Sequence, residues 1–136
     1  MVFPLYDHNP FKYARPPVVT WALIAVNIIV FLLEIGSGDG AKAILASFAA
    51  NPAAITRDIH AAGPVPPELT LLTSMFLHGG WGHLLGNMIY LWVFGDDIEE
   101  ALGPLRFLIF YLLCGIIAAL VFVTFNMHST TPLIGA

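Results

Sequence analysis

The chain has 136 residues, enough for one domain, with 58% hydrophobic and only 10% charged residues. Soluble domains carry about 25% charged residues, so water is not its expected main solvent. Nine acids against five bases give a net charge of −4 with no basic cluster, which argues against a nucleic-acid partner.

In chain order, three stretches lack formal charge for long enough to matter. The first runs from Pro16 to Leu33, between Arg15 and Glu34. A helix needs about 20 apolar residues to cross a hydrocarbon core of about 30 Å, so we expect a membrane helix over about 17–35. A cleaved signal peptide is the competing reading, since Lys12 and Arg15 precede the stretch and Ala41-Lys42-Ala43 has a small-x-small pattern. The proline-broken polar lead and the distance of that triplet from the apolar end favour an uncleaved helix. Lys12 and Arg15 also place the N-terminus on the cytoplasmic side.

The loop that follows, 36–70, is then external. Its alanine-rich parts, Ala41 to Ala50 and Ala53 to Ala62, are separated by Asn51-Pro52 and suit helices on the membrane surface or a small soluble hairpin. Gly63-Pro64-Val65-Pro66-Pro67 ends the loop, because prolines at that density block helix.

The second uncharged stretch, Leu69 to Gly95, is interrupted by His78-Gly79-Gly80-Trp81-Gly82-His83. Its helix is expected over about 82–95, followed by a short cytoplasmic loop from Asp96 to Leu105. The third stretch begins at Phe107 and supports a helix over about 105–125. Cys114 lies inside it without a mate, so no intrachain disulfide can form and a packing role is expected.

Chemistry concentrates in the second stretch. His83 and Asn87 are four apart, hence on one helix face and roughly 6 Å apart in rise. Gly82 and Gly86 form a small-xxx-small pair, which invites a close neighbouring backbone. A His and an Asn in a membrane helix must face protein or a wet cavity, since lipid cannot satisfy them. Two readings stay open from physics alone. The pair could be interhelical hydrogen-bond glue, or could aim an imidazole N–H and an amide N–H at a developing oxyanion. Metal is disfavoured, because the i,i+5 spacing of His78 and His83 does not put two ligands on one face and H-E-x-x-H is absent.

The run Leu72-Thr73-Ser74-Met75-Phe76-Leu77-His78-Gly79-Gly80-Trp81, followed by His83, Asn87 and Gly95, closely resembles the second transmembrane region of bacterial rhomboid proteases. The likeness continues through Glu99 and Gly103 to Arg106-Phe107. It extends to Asn9-Pro10, to Thr20, Asn27 and Phe31, and to Phe48-Ala49-Ala50-Asn51-Pro52. It implies an all-α membrane protein, here three transmembrane helices of a rhomboid-like six- or seven-helix bundle. The implied activity is a cofactor-free serine–histidine endopeptidase that cuts transmembrane protein substrates within the lipid bilayer, in a bacterial plasma membrane.

By position, His83 and Asn87 match the oxyanion-stabilising side chains and His78 a supporting residue. Glu99 and Arg106 match polar positions that tie down the cytoplasmic turn. The family's serine lies in G-x-S-G, and Pro132-Leu133-Ile134-Gly135-Ala136 resembles its lead-in. The serine, the helix bearing the histidine base and the rest of the bundle are not among these 136 residues, so this piece is expected to be inactive alone. Ser37, Ser47, Ser74 and Ser129 sit in none of the right contexts, and Ser129 beside His128 is too close in sequence to form a nucleophile–base pair. Leu69-Thr70 stands where many members carry Trp-Arg. The alternative is a rhomboid-like protein that binds membrane clients without cutting them.

Overall fold

The computed structural model describes residues 16–56, 59 and 63–135. Lys12, Arg15, Asn9-Pro10 and residues 57, 58 and 60–62 of the second alanine-rich segment lie outside them. Every regular element among the described residues is helical: α1 (Val18–Gly36), α2 (Ala41–Phe48), α3 (Pro52–Ile55), α4 (Thr70–Thr73), α5 (Trp81–Leu102) and α6 (Pro104–Phe125). Short 3₁₀ turns at Gly38–Gly40, Pro67–Leu69 and Ser74–Phe76 connect them.

The pattern of burial in α1 is inverted relative to a helix in water. Thr20, Leu23, Asn27, Phe31 and Glu34 recur every three or four residues and form one buried stripe. Three of those five are polar, while Trp21, Ile28, Ile29, Leu32 and Leu33 stand outside. Exposed apolar side chains around a polar-containing seam suit a lipid solvent. In α6, likewise, Phe107, Ala119 and Val123 are buried, whereas Leu105, Ile109, Leu113, Ile117 and Phe125 face outward. Both helices are long and apolar enough to span a membrane.

The second expected helix runs past the end of its uncharged stretch. α5 continues through Asp96, Asp97, Glu99 and Glu100 to Leu102 instead of ending near Gly95. Charge marks where a helix leaves hydrocarbon, whereas a helix stops where its backbone is interrupted. Asp96 to Leu102 contains neither glycine nor proline. The stop comes at Gly103, whose φ of +82° is left-handed, and Pro104 then occupies the first turn of α6. The expected loop from Asp96 to Leu105 is thus reduced to one residue between two helices.

α5 runs antiparallel to α1. At one end the helices meet at Gly95, where a Cβ would lie 2.9 Å from Thr20 Cγ2. At the other, Glu34 reaches the chain just before α5 and accepts a hydrogen bond from His78 N–H at 3.3 Å. The close approach expected at Gly82 and Gly86 occurs at Gly95 instead: a Cβ on either of the first two would meet nothing within 4 Å. A second contact of this kind packs the Met75 side chain against Gly115 of α6.

The start of α1 shows what holds the ends together. Its N-cap is Pro17, which has no side-chain acceptor. Glu99 of α5 supplies one, accepting from Val19 N–H at 2.9 Å, Thr20 N–H at 2.7 Å and Thr20 Oγ1 at 2.8 Å. Arg106, expected along with Glu99 to tie down the turn between α5 and α6, stands exposed in the first turn of α6.

Of the two alanine-rich segments, the first forms α2 and the second begins as α3, with Asn51 as its N-cap and Pro52 at its first position. Both pack near the chain after α6. Ala50 and Leu133 form an isolated antiparallel bridge, Ala53 N–H donates to Ser129 O at 3.1 Å, and Thr56 Oγ1 donates to Met127 O at 2.9 Å. The first loop is therefore folded against residues 127–133.

Candidate functional site

The chain approaches α5 through the 3₁₀ turn Ser74–Phe76 and an extended Leu77, which bury His78 to 3% exposure against Phe31. α5 starts at Trp81, so His83 falls in its first turn and Asn87 one turn later. His83 is exposed and Asn87 half-buried.

The structure brings all three predicted residues together. The rings of His78 and His83 lie 5.2 Å apart between centroids. Asn87 Nδ2 is 3.2 Å from His78 Nε2, and His78 Nδ1 is 3.2 Å from the carbonyl oxygen of Phe76. These partners assign the tautomer. Phe76 O can only accept, so His78 Nδ1 carries the proton, and Nε2 is left to accept from the Asn87 amide. The chain Phe76–His78–Asn87 thus fixes which way the amide faces, and one Asn87 N–H remains for another acceptor.

This assignment needs a neutral His78. Burial lowers its pKa from the ordinary 6.5, and neighbouring His83 adds to that effect, against a smaller opposing pull from the Phe76 carbonyl. Beneath the pair, a cavity of about 260 Å³ is lined by Asn27, Met75, Asn87 and Tyr111 among others.

Above the pair lies the segment after α6. Gly135 N–H donates to Ser74 O at 2.8 Å, and the Gly135 backbone has a φ of +82°. A Cβ there would come within 2.5 Å of His83 Cε1 and Nε2 and 3.3 Å of Asn87 Nδ2. Only glycine fits both the backbone conformation and the approach. Gly79 makes room for the same segment, since a Cβ on it would lie 3.2 Å from Ile134 Cδ1. The imidazole and the free amide N–H therefore look onto the backbone of residue 135.

Sequence reasoning missed two members of this arrangement. Glu34 lies 44 residues before His78 and reaches the site by tertiary packing alone. Gly135 was read as part of a motif, yet nothing in the sequence placed it over His83. Ser74 and Ser129 act locally. The Ser74 hydroxyl donates to Leu71 O at 3.4 Å, and Ser129 Oγ accepts from Thr131 N–H at 3.1 Å.

The family model of the rhomboid domain matches residues 67–136. The chain is 33% identical over 121 residues to rhomboid protease GluP of Bacillus subtilis (strain 168), covering 88% of this chain and 22% of that protein. Over 66 residues it is 39% identical to the mitochondrial RHOMBOID-like protein 12 of Arabidopsis thaliana (46% of this chain, 19% of the relative). Over 56 residues it is 36% identical to the chloroplastic Rhomboid-like protein 11 of the same plant (41% and 20%). The alignments span about a fifth of the length of these relatives. No solved structure matches the chain.

Proposed function

Because the chain belongs to the rhomboid family and is an integral membrane protein, we propose that it supplies the oxyanion side of an intramembrane serine endopeptidase acting on transmembrane protein substrates. The observation that carries this reading is the approach of Gly135 to His83 and Asn87. The family resemblance sets the nucleophile two residues beyond Gly135. A serine there would attack a peptide carbonyl beside the two side chains, and the negative charge would develop where their N–H groups converge. His78 would act through Asn87, holding its amide by the 3.2 Å contact. Neither the nucleophile nor its base is among these 136 residues, so the piece alone would bind charge without breaking a bond. We further propose that α1, α5 and α6 all span the bilayer of a bacterial plasma membrane with the N-terminus cytoplasmic, a reading supported by Lys12 and Arg15.

The test uses a chain that continues through the serine- and histidine-bearing helices. Removing one oxyanion donor costs on the order of 10²–10³ in kcat, whereas loss of interhelical glue costs about 0.6–2 kcal/mol of stability and spares turnover. His83→Ala and Asn87→Ala should each lower kcat by that factor while unfolding in detergent barely moves. Near-normal kcat with marked destabilisation would make both residues structural. The 136-residue chain should not react with a serine-directed fluorophosphonate; labelling abolished by Ser129→Ala would overturn the assignment of Ser129 to the turn.

A further inference from the structure

His78 is held at both ring nitrogens. Nδ1 lies 3.2 Å from Phe76 O, and Nε2 lies 3.2 Å from Asn87 Nδ2. Around the ring, Phe31 of α1 packs edge-on and His83 of α5 stands 5.2 Å away between centroids. From the end of α1, Glu34 faces the same segment, where its Oε2 takes the backbone N–H of His78. Tyr90 of α5 and Tyr111 of α6 share the adjoining cavity and bring hydroxyls rather than charge.

These contacts leave one place for a second proton. A carbonyl oxygen only accepts, so Phe76 O keeps the Nδ1 proton in either charge state of the ring. The added proton goes to Nε2, where it meets an Asn87 amide N–H, and two donors now face each other. Asn87 relieves the clash by turning its amide over, since the oxygen and nitrogen ends are nearly equal in shape. Oδ1 then accepts from His78 Nε2–H. The same Nδ2 position also lies 3.3 Å from where a Cβ on Gly135 would stand. Turning the amide over therefore exchanges a donor beside residue 135 for an acceptor.

We propose that His78 is a proton-operated switch on this site: neutral, it holds Asn87 with an N–H toward residue 135, and protonated, it turns the amide over and presents the oxygen there. The proposal rests on the oxyanion role given to Asn87 above and adds its regulation. His83 does not duplicate the switch. A protonated imidazole donates from both nitrogens, so charge on His83 preserves its N–H while opposing a proton on His78. Burial opposes that proton still more strongly. The site thus rests in its donor state at neutral pH and inverts in acid.

The test follows kcat/KM against pH for the full natural chain in detergent, cutting a transmembrane peptide. A catalytic base alone gives an acid limb that falls tenfold per pH unit; with His78 titrating as well, the fall should steepen toward a hundredfold. His78→Gln offers Asn87 an acceptor that does not titrate, and should restore the tenfold limb. Asn87→Ala should be slower than wild type by about 10²–10³ at neutral pH, and the two curves should converge in acid, where wild type has lost the same donor. That comparison leaves His78 in place, so it stands if His78→Gln does not fold. A ratio of wild type to Asn87→Ala that stays constant down to the pH at which the chain unfolds would overturn the switch, as would a steep limb retained in His78→Gln. Near-normal activity of Asn87→Ala at neutral pH would sink the oxyanion reading itself, whereas full loss there with a constant ratio sinks only the switch.

Discussion

Replacing Glu99 by alanine should loosen the whole α1–α5 seam from its far end. The carboxylate accepts three hydrogen bonds at 2.7–2.9 Å, two of them from backbone N–H groups in the first turn of α1. Pro17 offers that turn no substitute acceptor. Glu99 and Thr20 are 4% and 1% exposed, so water cannot easily replace the lost oxygens. A buried donor left unsatisfied costs about 1–3 kcal/mol. Two such N–H groups and one hydroxyl share the two oxygens of one carboxylate, so their costs are less than additive. We expect a loss of about 3–5 kcal/mol, which includes the attraction of the carboxylate for the positive end of the α1 dipole. Glu99→Gln keeps one acceptor oxygen but turns an NH₂ toward a donor, and should lose about 1–3 kcal/mol. Thr20→Val removes only the hydroxyl bond and should cost about 1 kcal/mol. Unfolding by sodium dodecyl sulfate in mixed micelles would measure the series, and hydrogen exchange at Val19 and Thr20 would localise it. If Glu99→Ala unfolds within about 0.5 kcal/mol of wild type, below the cost of even one orphaned donor, the capping argument fails.

Glycines on α5 should divide by their neighbours. Gly95→Ala drives a methyl into Thr20 and should destabilise by about 1–3 kcal/mol, whereas Gly86→Ala in the 136-residue chain meets open space and should be neutral or stabilising by up to about 1 kcal/mol; equal effects in detergent unfolding would refute the packing assignment. The folded-state pKa of His78 lies below its ordinary 6.5, so the unfolded chain binds more protons between the two values. The His78 contribution should therefore be complete above about pH 6.5 and decline as pH falls toward the folded value, a slope that His78→Gln should remove from the pH profile of stability. For topology, a cysteine at Ser37 in a Cys114→Ala background should react with an impermeant thiol reagent outside intact cells, and one at Asp97 should not. Reversed labelling would invert the orientation.

The parts of this molecule readable from sequence were those governed by local periodicity. α1 and α6 were legible because uncharged length alone specifies a membrane helix, and their ends fall within a residue or so of expectation. The nearness of His83 and Asn87 followed from i,i+4 spacing. What escaped was set by tertiary contact or by backbone rather than hydropathy. The last two turns of α5 were misread because charge was taken as the end of the helix. Gly82 and Gly86 matched a packing pattern, yet the seam turns toward Gly95, a choice made by where Thr20 lies on α1. Glu99 was expected to tie down its own turn and instead caps a helix some eighty residues earlier.

The bonds between the first loop and residues 127–133 also bear on how the chain folds. Asn51 pairs with Thr130, and Thr56 with Met127, across 79 and 71 residues. Contacts this distant in sequence carry a large loop-closure entropy and form late. During synthesis α3 and its flanking residues emerge long before residues 127–133, and they cannot reach their final seats until α5 and α6 have been made. Residues 50–56 must therefore wait with the faces of Ala50, Ala53 and Ala54 uncovered. Their docking is then an assembly step that reports on the arrival of the α5–α6 hairpin, so a protease that cuts the undocked loop would distinguish chains that have completed that hairpin from those that have not.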